Sequence, residues 1–140
     1  MASDDNPEDY KLPEKYEKIP LCGLNSSARR RMAMHLNLDG TLNDSDLMNN
    51  YKGLAELIGF EWKEIENFDR QKSPTEEMLA EWTQRLDPEP TVGNLWNFLQ
   101  ELERFDVLLD AASSVRMYTI YKYTNILSTL KASNIYYYCK

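Results

Sequence analysis

The sequence predicts an all-α protein built as a bundle of six antiparallel helices. Apolar residues recur at intervals of three and four in six successive stretches of the chain. Several of these stretches are preceded by residues that cap helices, and the connections between them are short, as in antiparallel bundles. The 140 residues suffice for one hydrophobic core and are too few for two separate ones.

The first helix is predicted to begin after Asn25 or Ser26, either of which can serve as its N-cap. Its apolar stripe consists of Ala28, Met32, His35 and Leu36. Asp39 and Gly40 are typical of a turn, and residues 41–46 are rich in Asn, Asp and Ser. We therefore expect a loop between the first and second helices.

The second helix is predicted over residues 47–58, with Gly59 just beyond its end. Its buried face is formed by Tyr51, Leu54, Ala55 and Ile58. A short third helix covers Trp62 to Phe68, in which Ile65 and Phe68 lie three residues apart.

The last three helices have the clearest start signals. Ser73-Pro74-Thr75-Glu76 is a predicted capping box with proline at the first helical position, and its helix should end before Pro88. Thr91 is predicted to cap the fifth helix, and Asp106 a sixth helix over residues 107–112. The fifth helix carries Val92, Leu95, Trp96, Leu99 and Leu102 on one side.

The two ends of the chain differ from the predicted bundle. Residues 1–19 are polar and acidic, with two prolines, and predict a flexible, disordered arm. Residues 113–140 fit neither a helix nor a strand clearly, so a helical or partly disordered extension is expected. The folded domain is accordingly predicted over residues 20–112.

The charges are unevenly distributed. The net charge is −7, yet residues 113–140 carry four bases and no acid, and three consecutive bases, Arg29, Arg30 and Arg31, interrupt an acidic domain. An acidic chain is a poor partner for nucleic acid, whose phosphates require a basic surface. Separated charges of opposite sign favour head-to-tail contacts between similar domains.

The sequence indicates a cytoplasmic protein. No stretch approaches the roughly 20 apolar residues of a membrane span, and the polar N-terminal residues do not form a signal peptide. Cys22 and Cys139 are too few for a disulfide framework, which favours reduced thiols.

No catalytic or metal-binding motif is present. The single histidine, His35, lies on an apolar helix face, where a structural role at the edge of the core is expected. Two cysteines and one histidine cannot supply four zinc ligands. Glu76 and Glu77 are typical of a helix N-terminus, so neither an enzyme, a cofactor nor a metal is predicted.

A few residues remain as candidates for an interaction surface. Trp82 and Trp96 lie on apolar stripes and are expected in the core, whereas Trp62 has charged neighbours. Trp62 is either a half-buried corner residue or an exposed interface anchor. Glu56 and Arg30 point away from their apolar stripes, and Arg29 or Arg31 is positioned to pair with an acid of another helix.

Taken together, these residues resemble a death domain, in particular the death domains of adaptors that serve Toll-like and interleukin receptors. The similar blocks follow in order: Pro20-Leu21, Leu24-Asn25, Arg29-Arg30-Arg31, Leu36-Asn37, Leu54-Ala55-Glu56, Phe60-Glu61, Glu64-Ile65, Pro74-Thr75, Leu79, Trp82, Val92-Gly93, Leu95 and Asp106-Val107-Leu108-Leu109. The resemblance implies a non-enzymatic signalling adaptor of innate immunity that stacks helically. Its implied partners are its own copies and the death domains of interleukin-receptor-associated kinases, similar to Pelle and Tube; receptors are reached only indirectly.

The resemblance also implies which residues make these contacts. They are Glu56, Trp62, Arg104 and Asp106, with Arg29, Arg30 and Arg31 as weaker candidates. At one of these contacts Glu103-Arg104-Phe105 replaces the glycine–arginine–acid turn of the family, and Glu101 replaces an expected base. The receptor-docking domain of such adaptors is not found in this sequence, so an alternative is a truncated form that competitively inhibits the full-length adaptor.

Overall fold

A computed structural model of the chain describes residues 11–12 and 14–114, and these residues contain six α-helices. They are α1 (Ser26–Leu36), α2 (Tyr51–Ile58), α3 (Trp62–Asp69), α4 (Pro74–Trp82), α5 (Val92–Glu101) and α6 (Phe105–Ser114). Two short 3-10 helices, Glu14–Tyr16 and Leu21–Gly23, precede them. The all-α prediction is confirmed: within this part of the chain, strand pairing is limited to isolated bridges between Pro20 and Thr91 and between Leu42 and Met48.

One hydrophobic core holds the bundle together. α1 packs against α4 and α6, α2 contacts α3, α4 and α5, and α5 also packs against α6. Trp82 and Trp96 are buried in this core, as the apolar stripes predicted. The indole of Trp82 also donates a hydrogen bond from Nε1 to the carbonyl oxygen of Pro88 at 2.9 Å, which satisfies its polar atom. The core is therefore built around two large, fully buried aromatic side chains.

α2 begins later than predicted, at Tyr51, because the residues before it form a structured loop. Met48 pairs with Leu42 in an isolated bridge, and residues 47–49 are not helical. Asn50 then caps α2, since its side-chain oxygen accepts the backbone N–H of Lys52 at 3.0 Å. The predicted loop over residues 41–46 is confirmed.

The capping box predicted at Ser73 is wrong, although Pro74 does occupy the first turn of α4. The side chain of Ser73 accepts a hydrogen bond from Asn37 Nδ2 at 3.1 Å and does not cap its own helix. Asn37 Oδ1 instead accepts the backbone N–H of Thr75 at 2.9 Å and its hydroxyl at 2.6 Å. An asparagine 38 residues away in sequence thus supplies the cap.

The start of α6 is also corrected. This helix begins at Phe105, two residues before the predicted start, so Asp106 lies within its first turn. The carboxylate of Asp106 is bound by Arg104, which makes it an ion-pair partner where a cap was expected. The cap of α5 is confirmed, since Thr91 Oγ1 accepts the N–H of Asn94 at 3.1 Å.

The segment of residues 14–24, here called the N-terminal strap, lies across the start of α5. Tyr16 and Ile19 are buried in the core, which corrects the prediction of disorder for this part of residues 1–19. The strap is fixed by backbone hydrogen bonds, because the first N–H groups of α5, on Val92 and Gly93, donate to the carbonyls of Ile19 (2.8 Å) and Glu17 (3.0 Å). Residues 1–10 and 13 lie outside the described part of the chain.

The cysteine prediction is wrong for Cys22, which is disulfide-bonded. Sequence spacing gave no indication of it, because a disulfide depends on Cβ atoms about 3.8 Å apart in space. Cys139 and the whole predicted extension after Ser114 lie outside the described residues. Among the helices that the structure does describe, none has the length and apolar character to cross a bilayer.

Candidate interaction surfaces

The helices α2 and α3 enclose a shallow surface groove of about 400 Å³, here called the Trp62 groove. It is lined by Met48, Lys52, Glu56, Trp62, Ile65, Glu66 and Asp69. Two residues predicted to interact, Glu56 and Trp62, therefore lie in one site although they belong to different helices. Three carboxylates and one ammonium group surround the indole, so the groove is acidic with an aromatic centre.

Trp62 is held at the first position of α3 and is 65% exposed. The helix start is stabilised by Glu64, whose carboxylate accepts the backbone N–H of Glu61 at 2.9 Å. The ammonium of Lys63 lies 5.9 Å from the centre of the Trp62 ring, within the range of a cation–π contact. Of the two sequence-based interpretations of Trp62, the structure supports the exposed aromatic residue.

The two helices that carry the Trp62 groove are joined by a hydrogen bond. The hydroxyl of Tyr51 in α2 donates to Asp69 at the end of α3. Burial of the phenol, followed by the adjacent Asp69 carboxylate, raises the pKa of Tyr51, so this hydroxyl stays protonated across the physiological range. The protonated hydroxyl can therefore donate to Asp69 and link the two helices near neutral pH.

Sequence reasoning missed most of the groove. Trp62, Glu66 and Asp69 are spaced i, i+4 and i+7 on α3, and Lys52 and Glu56 are spaced i and i+4 on α2. This helical periodicity places each set on one face of its own helix, so the sequence contained enough information to predict the two sets separately. The facing of the two sets depends on how α2 packs against α3, which the periodicity does not contain.

The arginine cluster on α1 is divided between internal and solvent contacts. Arg31 pairs with Asp110 of α6 at 3.1 Å, as predicted for one of the two flanking arginines. His35 lies one turn further along, with its Nε2 2.9 Å from Asp110 and its Nδ1 3.8 Å from Asp106, so it contributes to the same contact between α1 and α6. Arg29 and Arg30 are exposed, and no described residue forms an ion pair with either of them.

Arg104 and Asp106 meet at the corner between α5 and α6. Arg104 binds both carboxylate oxygens of Asp106, at 2.9 and 2.8 Å, and donates a further hydrogen bond to the carbonyl of Asn49. The hydrogen bonds from Arg104 lower the pKa of Asp106. Arg104 is mostly buried in these contacts, whereas Asp106 remains more than half exposed and is the part of this corner available to a partner.

The turn before Arg104 forms with Glu103 at the position where the resemblance implies a glycine. Glu103 adopts a left-handed conformation with φ of 62°. Its N–H donates to the carbonyl of Gln100 at 3.0 Å, and the N–H of Arg104 donates to that of Leu99 at 3.0 Å, which together form a Schellman motif. The backbone at the end of α5 therefore forms a regular helix C-terminus without a glycine.

The exposed polar groups define a class of protein. Across the described ranges, no group of histidine, cysteine and acidic side chains is placed to bind a metal ion, and His35 is engaged with Asp106 and Asp110. Besides Asp106, the exposed candidates include two charged surfaces: the acidic Trp62 groove and the side of α1 that carries Arg29 and Arg30, here called the arginine face. A bundle with such surfaces has the features of a protein-interaction module.

Comparison with protein families assigns this module. The model of the Death domain family matches residues 32–113, which is more than half of the chain. The chain belongs to the death-domain family. Death domains are interaction modules of signalling proteins that bind other death domains, and they are generally non-enzymatic.

Proposed function

We propose that this chain is the death domain of a myeloid differentiation primary response adaptor in Toll-like and interleukin receptor signalling. It acts in the cytoplasm by assembling with its own copies and with the death domains of interleukin-receptor-associated kinases. The ordered sequence blocks that resemble such adaptors support this assignment. The observation that carries it is the convergence of Glu56 and Trp62 in one exposed groove.

The two charged surfaces support a head-to-tail mode of contact. The Trp62 groove carries three carboxylates and one ammonium, and neither Glu56 nor Glu66 forms an ion pair with any described residue. Arg29 and Arg30 present the opposite charge on α1. When the groove of one domain meets the arginine face of the next, the same contact repeats and an open stack grows. Exposed arginines are well suited to bind both carboxylates and an indole.

The proposal is tested by reversing one charge in the groove. We expect Glu56→Lys to abolish higher-order assembly with a kinase death domain, measured as the mass of the mixture by light scattering. Because the Glu56 side chain is exposed, the free energy of unfolding should change by no more than about 0.5 kcal/mol. Trp62→Ala should weaken assembly in the same direction, since it removes the aromatic centre of the groove.

The matched control is Glu77→Lys, which reverses another exposed charge, on α4 and outside the groove. This variant should assemble like the parent chain. Assembly of Glu56→Lys with the parent stoichiometry would contradict the assignment of the groove as the contact surface.

A further inference from the structure

The Trp62 groove offers an unusual combination of unpaired charge and exposed apolar surface. Its indole, Met48 and Ile65 provide apolar area, while Glu56 and Glu66 lie beside them without an ion-pair partner in the described part of the chain. The placement of Lys63 near the indole shows that a cation reaches the ring. The chemistry that fits this groove is therefore a segment that combines basic and aromatic side chains.

The chain itself contains one segment with this composition. Residues 115–140 carry four bases, Arg116, Lys122, Lys131 and Lys140, and no acid. The same segment contains six of the nine tyrosines of the protein. Tyrosine packs against indole and thioether groups, and the basic side chains of the segment are opposite in charge to the groove carboxylates.

The segment is long enough to reach the groove. Its 26 residues follow α6 directly and span up to about 85 Å when extended. A domain of about 100 residues is only roughly 35 Å across, so every face lies within reach. The arginine face of α1 has no such freedom, because its helix is packed against α4 and α6 and cannot turn toward the groove of its own chain.

We propose that residues 115–140 bind the Trp62 groove of the same chain and cover it until a partner displaces them. Because the segment is attached to α6, its effective concentration at the groove is in the millimolar range. Even a weak contact between the segment and the groove is then occupied. The consequence for assembly rests on the proposed function: the bound segment competes with the arginine face of an incoming death domain, so the chain resists assembly at low concentration.

The groove contains its own fluorescent probe. Trp62 is exposed, whereas Trp82 and Trp96 are buried, so acrylamide quenching reports mainly on Trp62. The measurement uses the full chain at low ionic strength without a reductant, so that the disulfide of Cys22 stays intact. We expect the combined variant Arg116→Glu, Lys122→Glu and Lys131→Glu to raise the quenching constant about twofold by releasing the segment.

A second variant tests the groove side of the contact. Glu66→Lys should raise the quenching constant in the same way, while Glu77→Lys, outside the groove, should leave it unchanged. Trp62→Phe supplies the baseline from the two buried indoles.

Equal quenching constants in the parent chain, the segment variant and Glu66→Lys would overturn the proposal. Protection of Trp62 that is lost on dilution would also overturn it, because it would show that a second copy covers the groove. No partner is present in the quenching experiment, so equal quenching constants would not contradict the proposed function. Conversely, failure of the chain to assemble with a kinase death domain would not contradict binding of the segment to the groove.

Discussion

Gly59 and Glu103 occupy the same left-handed backbone position at the ends of two different helices. α2 and α5 both end in a Schellman motif, and the left-handed position is Gly59 in the first and Glu103 in the second. Glycine adopts this conformation freely, whereas a side chain with a Cβ is strained by about 1–2 kcal/mol. The Glu103 turn persists because Arg104 is fixed beyond it by Asp106 and Asn49.

This comparison predicts that Glu103→Gly stabilises the domain. Relief of the left-handed strain exceeds the extra chain entropy of glycine in the unfolded state, and the free energy of unfolding should rise by about 1 kcal/mol. The thermal midpoint should increase by about 5 °C for a domain of this size. Gly59→Glu is the reciprocal control and should lower the midpoint; a lower midpoint for Glu103→Gly would mean that the glutamate side chain stabilises the turn.

Among the elements, the N-terminal strap and α5 depend on each other. The strap carbonyls of Glu17 and Ile19 accept N–H groups that the first turn of α5 leaves unpaired. The close approach requires glycine, because a Cβ on residue 93 would lie 2.6 Å from the Glu17 carbonyl oxygen and 2.9 Å from its Cα. Both obstacles are backbone atoms, so a change of side-chain rotamer cannot relieve the clash.

Gly93→Ala is therefore expected to detach or shift the strap. The change should cost about 1–3 kcal/mol of unfolding free energy, as overpacking does in a tight interior. Hydrogen exchange should become faster at the amides of Val92 and residue 93, which donate to the strap. The control is Glu81→Ala at an exposed position of α4; if Gly93→Ala and Glu81→Ala are equally stable, the strap does not depend on this contact.

At the scale of the molecule, the described residues include two surfaces of opposite charge on different helices. Arg29 and Arg30 belong to α1, and the acidic groove belongs to α2 and α3. A contact between unlike surfaces does not close on itself, so each added domain leaves one free surface at each end. Many modest contacts then sum to a stable assembly.

A mixing experiment tests this geometry. Glu56→Lys alone and Arg30→Glu alone should each fail to assemble beyond the monomer, because each lacks one of the two surfaces. Their mixture should form dimers and no larger species, since the intact groove of one variant meets the intact arginine face of the other. Sedimentation velocity separates these species. Large assemblies in the mixture, or dimers in either variant alone, would contradict a contact between these two surfaces.

Local sequence signals predicted much of this fold because they depend on neighbouring residues. The apolar stripes placed Trp82 and Trp96 in the core, and Thr91 was recognised as the cap of α5. The caps that failed depend on distant residues: Asn37 caps α4, and Arg104 draws Asp106 into an ion pair. The burial of Tyr16 and Ile19 was missed because their contacts are made with α5, far along the chain.

For the functional surfaces, too, some features follow from the local sequence and others only from the packing of the helices. The amino-acid order was enough to establish six helices, the exposed side of Glu56 and the basic character of α1, since each follows from a period of 3.6 residues along one helix. The groove that joins Glu56 to Trp62, and the pairing of Arg31 with Asp110 that leaves Arg29 and Arg30 outside, arise from helix packing. Packing depends on the shapes of many side chains at once, so no local pattern in the sequence encodes it.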